Sequence, residues 1–134
     1  MGFIRAMIRP SAALGREAHV GDGWLAMPKV VTNSSAGAQT VTVQQMLGGV
    51  AMFTGAAGGV AYTYPTGALI AAAFPEMDIG DTYVFKVVNT AAQVATMTTA
   101  ASGTTLAGLV TANANSRTVI MEKTAAAAFT LTHF

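Results

Sequence analysis

The chain has 134 residues, no cysteine and a formal net charge of +1. This length suits one domain, which buries enough surface to fold without disulfides or metal, and the lack of cysteine excludes thiolate nucleophiles and sulfur-bound zinc. Only 10% of the residues are charged, against roughly 25% in an ordinary soluble domain. Much of the surface is therefore predicted to be neutral or covered by other chains, which favours a structural subunit over an enzyme.

Residues 1–28 are predicted to form an extended, basic N-terminal arm. Three of the seven basic residues fall in the first sixteen positions, without an acid among them, and apolar side chains are interleaved with them. Apolar side chains are costly to leave exposed in a tail, so we expect the arm to dock on a partner. The docking residues are predicted to be Phe3, Ile4, Arg5, Met7, Ile8, Arg9, Leu14, Arg16 and Trp24.

We expect neither a signal peptide nor a membrane anchor in the first residues. Arg5 and Arg9 interrupt the apolar run, and no stretch of about 18 apolar residues follows. Aromatic interleaving of the basic residues is limited to Phe3, which argues against nucleic acid as a partner. We therefore expect no membrane and no nucleic acid among the partners.

Residues 29–134 are predicted to form an all-β domain, a jelly-roll-like β-sandwich with one short helix. Short apolar segments recur about every ten residues with turn signals between them. A glycine-rich stretch, GGVAMFTGAAGGV, is predicted to form a hairpin within this pattern. The predicted strands are KVVTN, TVTVQQML, VAMFTG, VAYTY, TYVFKVVN, VATMTTA, TTLAGLV, RTVIMEK and AFTLTHF.

The one predicted helix lies in the segment PTGALIAAAFP. Thr66 is placed to cap its N-terminus and Pro75 to end it. Leu69, Ile70, Ala73 and Phe74 share one helical face, which is expected to pack on the sheets. This helix is too short to be stable alone, so we interpret it as a structural element.

Alternation of apolar and polar residues predicts which side chains face the core. The core set comprises Tyr83, Phe85, Val87, Val119, Met121, Phe129 and Leu131. The alternation is imperfect, because Val84, Val88 and Ile120 place apolar side chains on the opposite, outer face. We interpret these three residues as candidates for an oligomer interface, where another chain covers them.

Few residues suggest catalysis or metal binding, and we predict no enzyme and no cofactor. His19 and His133 have no obvious partner, and a triad drawn from Ser34 or Ser35 with His133 and Asp81 lacks a nucleophile-elbow motif. The acidic cluster PEMDIGD is interpreted as a solvated loop. The alternative is a Ca²⁺ site made by Glu76, Asp78 and Asp81, although their spacing is not that of an EF-hand.

Residues 60–134 contain the segments LIAAAFPEMDIGDTYVFKVVNTAAQVATMTTAASGTTLAG and NSRTVIMEKTAAAAFTLTHF. In these segments the chain resembles small β-rich virion proteins of tailed bacteriophages, in particular capsid decoration or cement proteins. It implies a non-enzymatic homotrimer that is made in the host cytoplasm, binds the major capsid protein on the outer surface of the virion and stabilises the head.

The alternative function is a phage tail or fibre module that recognises carbohydrate. Related-looking modules occur in tail and fibre components. In that case Tyr62, Tyr64 and Tyr83 would supply rings on which sugars stack, with Asn or Thr side chains as hydrogen-bonding groups.

Overall fold

A computed structural model describes residues 17–20, 23–26, 28–99 and 102–134, with the side chains of 28–99, 102–110 and 115–134. Two sheets are present in this part of the chain, a two-stranded one and an eight-stranded one. The elements are β1 (Glu17–Val20), β2 (Gly23–Ala26), β3 (Lys29–Asn33), β4 (Gln39–Thr40), α1 (Val43–Gly48), β5 (Gly49–Phe53), β6 (Val60–Thr63), α2 (Gly67–Ala73), β7 (Thr82–Thr98), β8 (Thr104–Gly108), β9 (Thr111–Ala125) and β10 (Ala128–His133).

The small sheet is an antiparallel hairpin of β1 and β2, in which His19 lies opposite Trp24. It falls within the predicted N-terminal arm, where the sequence patterns indicated no strand. The predicted docking residues from Phe3 to Arg16 lie outside the described residues.

The large sheet is organised around β7, whose seventeen residues join two strands that the sequence predicted as separate. β9 pairs antiparallel with both halves of β7, across an irregularity between Asn89 and Val94. The buried Asn89 amide stabilises this irregularity, since its Nδ2 donates to the Gln93 carbonyl (2.7 Å) and its Oδ1 accepts from the Ala91 N–H (3.2 Å). One continuous strand therefore serves both halves of the sheet.

β5 and β6 follow one another along the other edge of β7. β5 pairs with the first half of β7 and β6 with the second half, and both are parallel to it. The hairpin predicted for the glycine-rich stretch is therefore wrong, because these two strands run in the same direction and do not pair with each other. β3 and β4 add parallel partners to β5 and β6, while β10 pairs with β9 on the far side and β8 with β10.

The eight-stranded sheet folds over on itself into two layers. Phe53 of β5 stacks on Tyr62 of β6 with the ring centroids 3.9 Å apart. Tyr64, just after β6, contacts Phe85 of β7 and His133 of β10 through its ring. Since one half of the sheet lies over the other with aromatic rings between them, the predicted all-β sandwich is confirmed.

The predicted core residues occupy the interior of this sandwich. Phe85, Val87, Val119, Met121, Phe129 and Leu131 are at most 1% exposed, and Tyr83 is half-buried against them. The period-two alternation therefore identified the inner face of β7, β9 and β10 correctly.

The prediction of a single helix is wrong, because a second helix, α1, replaces most of the predicted strand TVTVQQML. Thr42 Oγ1 accepts from the Gln45 N–H (3.1 Å), and Gln45 Oε1 accepts from the Thr42 N–H (2.9 Å). This reciprocal capping box supplies partners for two backbone donors at the helix start. Gly49, with φ of 88°, ends the helix in a left-handed conformation that suits glycine.

The predicted helix is confirmed as α2, with Thr66 as its N-cap and Phe74 as its C-cap. Ile70 and Phe74 are buried against the sheets as expected. Leu69 is the exception, because its side chain is 58% exposed rather than part of the packed face.

Candidate protein interaction surface

Val84, Val88 and Ile120 all lie on the solvent side of the sheet. Val84 of β7 and Ile120 of β9 are direct cross-strand partners, and Val84 is 55% exposed. Ile120 and Val88 are partly buried. The structure therefore pairs Val84 with Ile120 and places Val88 on the same face four residues further along β7, while their role in an oligomer stays a prediction.

The same face extends over two further strands. Met52 of β5 is the register partner of Val88, and Val50 of β5 is the partner of Val30 of β3, which is 52% exposed. We call this surface the outer apolar face. It consists of Val30, Val50, Met52, Val84, Val88 and Ile120.

The three residues on β3 and β5 were missed at the level of sequence. The signal was present in GVAMF, where Val50 and Met52 alternate with the buried Ala51 and Phe53. A strand with apolar residues at every position is predicted to be covered on both faces. Joining these residues to Val84 required the parallel register of β5 with β7, which no local pattern specifies.

Two opposite charges stand on this face, on either side of the Val84–Ile120 pair. Lys86 follows Val84 by two residues along β7, and Glu122 follows Ile120 by two residues along β9, which runs the other way. Both side chains are exposed. Within the part of the chain that the structure describes, neither forms a salt bridge or a side-chain hydrogen bond.

A groove of about 400 Å³ opens beside Val84. Its lining includes Pro28, Leu47, Val50 and Lys86. Pro28 immediately precedes β3, so residues 1–28 join the body at this groove. The outer apolar face and the junction with the predicted arm are therefore neighbours.

A tyrosine–histidine pair is buried in the sandwich. His133, for which the sequence indicated no obvious partner, is 1% exposed, and its Nε2 is 2.8 Å from the Tyr64 hydroxyl. Its Nδ1 is 3.1 Å from the Ala107 carbonyl. The carbonyl can only accept, so Nδ1–H donates to it and Nε2 accepts from the hydroxyl.

These partners differ from those of the triad that the sequence already disfavoured. His133 bonds with Tyr64 and Ala107, not with Ser34, Ser35 or Asp81. Burial raises the pKa of Tyr64 and lowers the pKa of His133, which keeps both groups neutral.

The acidic residues form an exposed turn between α2 and β7. The Asp81 carboxylate accepts from the Asp78 N–H (2.8 Å), and the Asp81 carbonyl accepts from the Lys123 N–H (3.0 Å). The described residues contain no group of three or more metal-ligating side chains that could hold an ion.

The tyrosines proposed as sugar-stacking platforms do not form an exposed surface. Tyr62 and Tyr64 are at most 1% exposed. Tyr83 is half-buried and its hydroxyl donates to the Leu47 carbonyl (3.0 Å). The role suggested for Tyr62 and Tyr64 is therefore wrong, because both residues belong to the core.

Among the described residues, no helix is long and apolar enough to cross a membrane.

Trp24, the remaining residue of the predicted docking set, lies in β2. Comparison with known proteins gives no match to a family model, a curated protein or a solved structure.

Proposed function

We propose that this protein is a capsid decoration protein of a tailed bacteriophage, which binds the major capsid protein as a homotrimer on the outer surface of the virion and stabilises the head. The observation that carries the proposal is the outer apolar face, which runs over four neighbouring strands of the body. An apolar surface of this kind, exposed at Val30 and Val84 and partly buried elsewhere, is typical of a protein–protein contact.

The core does not need the outer apolar face. The inner residues of β5, β7 and β9 are already fully packed, so the outward aliphatic side chains add nothing to that interior. Covering them removes apolar surface from water, which stabilises the complex by about 0.8 kcal/mol per buried CH₂ group. A second protein surface, rather than a second internal layer, is the natural cover for them.

Residues 1–28 would supply the contact with the shell. Arginine side chains suit bidentate contacts with carboxylates, and the interleaved apolar residues suit pockets between capsid subunits. Three arms joined in one trimer make the second and third attachments intramolecular. Modest single-arm affinities then combine into gains of about 10² to 10⁴ in overall affinity.

The proposal is tested by cosedimentation of the full-length protein with empty phage heads. Wild type is expected to pellet with the heads, and Arg5→Ala/Arg9→Ala/Arg16→Ala is expected to lose binding without a change in its solution mass. Lys29→Ala, outside the first sixteen residues, is the control and should bind as wild type does. Failure of wild type to bind heads would refute the decoration function, and unchanged binding by the triple variant would refute the arm mechanism.

A further inference from the structure

The outer apolar face carries one positive and one negative charge, one on either side of the Val84–Ile120 pair. Lys86 and Glu122 are offset by four residues along the strands and by one strand across. At about 3.4 Å per residue and 4.8 Å between strands, their Cα atoms are about 14 Å apart. The Val84–Ile120 pair occupies the position midway between them.

This spacing suits pairing between molecules rather than within one. The aliphatic row stands between the two side chains, and neither charge pairs with another residue of the described chain. The Lys86 side of the Val84–Ile120 pair is therefore electrostatically complementary to the Glu122 side of the same pair on a second copy.

We propose that the outer apolar face packs against further copies of this chain around a threefold axis, with Val84 and Ile120 at the axis and Lys86 of each subunit beside Glu122 of the partner subunit. The inference rests on the homotrimer of the proposed function and specifies its interface. In a head-to-tail ring the Lys86 side of each subunit meets the Glu122 side of the next, and three such contacts close the ring.

Another copy of this chain fits the face better than its own first residues do. The first sixteen residues contain three arginines and no acid, so they provide no carboxylate for Lys86. A second body provides both the apolar row and the complementary charge. Because Lys86 and Glu122 flank the Val84–Ile120 pair, their pairing would set the register of the contact.

The first test is charge reversal, with solution mass measured by sedimentation in the absence of phage heads. Wild type is expected to be a trimer. Lys86→Glu and Glu122→Lys each place like charges together and should weaken association by about tenfold or more. The double variant restores opposite charges and should recover the trimer. The controls Lys29→Glu and Asp78→Lys make the same charge changes at exposed positions off the face and should remain trimeric.

The second test is disulfide cross-linking, for which the absence of native cysteine is an advantage. In Lys86→Cys/Glu122→Cys, the intrachain Cα separation of about 14 Å exceeds the roughly 7 Å limit for a disulfide. Oxidation should therefore link neighbouring subunits and yield a covalent closed trimer on a non-reducing gel. Lys29→Cys/Asp78→Cys is the control that should stay uncrosslinked.

Three results would overturn the inference. They are a monomeric wild type, a charge-swapped double variant that fails to regain the trimer, and a cross-linked product that stops at the dimer. Because these measurements contain no capsid, they fail independently of the decoration function. A trimer that ignores phage heads would keep this interface and refute only the function proposed above.

Discussion

Acidification below about pH 6.5 is expected to destabilise the protein through His133. Burial, the main cause, lowers the pKa of His133, and the positive charge of Arg117 acts in the same direction. Hydrogen bonds with the backbone of Ala107 and Leu131 oppose these effects but do not cancel them. The fold therefore favours the neutral ring, whose Nε2 accepts from the Tyr64 hydroxyl.

The sign of the effect follows from proton linkage. In the unfolded chain histidine has a pKa of about 6.5, so as the pH falls the unfolded state binds a proton before the folded state does. The free energy of unfolding is therefore greatest above that value. It decreases by at most about 1.4 kcal/mol per pH unit for this one proton, and the decrease ends at the lowered pKa of the folded state.

The assay is urea unfolding followed by circular dichroism between about pH 7.5 and pH 5.5, a range above the titration of ordinary carboxyl groups. Wild type should lose stability towards the acid end. His133→Asn should lose less than wild type, whereas His19→Asn, which alters the other histidine of the chain, should behave as wild type. A pH dependence that is unchanged in His133→Asn, or absent from wild type, would refute the assignment to His133.

Two predictions concern buried polar groups. Tyr64→Phe removes the donor to a buried imidazole nitrogen and should lower the free energy of unfolding by about 1–3 kcal/mol. Its matched control, Tyr62→Phe, removes a buried hydroxyl that has no hydrogen-bond partner among the described residues, so this variant should be as stable as wild type or more stable. Thermal unfolding measures both variants, and equal losses of stability in the two would contradict the argument. Gln45→Ala breaks the capping box with Thr42 and should cost about 1 kcal/mol. The exposed Gln44→Ala is its control, and equal denaturation midpoints would rule out a stabilising box.

The sequence predicted the parts of the fold that depend on local alternation. Phe85 and Val87 on β7, and Phe129 and Leu131 on β10, stand in half-buried strands whose neighbours along the chain are polar or outward-facing. A period of two identifies such faces directly. The helix α2 was also predictable, because a capping threonine and a following proline limit it on both sides.

The errors arose where strand-forming residues meet a helix signal, and where partners are distant in sequence. The β-branched run before α1 favoured a strand, although Thr42 and Gln45 have the spacing of a capping box. The contact of Tyr64 with His133 spans 69 positions, and no local sequence pattern near either residue predicts it. The parallel pairing of β5 and β6 with one long strand is equally non-local.

The arrangement of the two faces separates folding from assembly. Val119 and Met121 on the inner face of β9 are fully buried, while Ile120 between them points outward beside Val84. Substitutions of inner residues are therefore expected to lower the stability of the monomer, because they open cavities in a closed core. Substitutions on the outer apolar face leave that core intact and alter only the contact with the chain that covers the face. The same strand thus supplies the interior of one subunit and, in the proposed trimer, the interface with the next, so the two contributions are separable by mutation at adjacent positions.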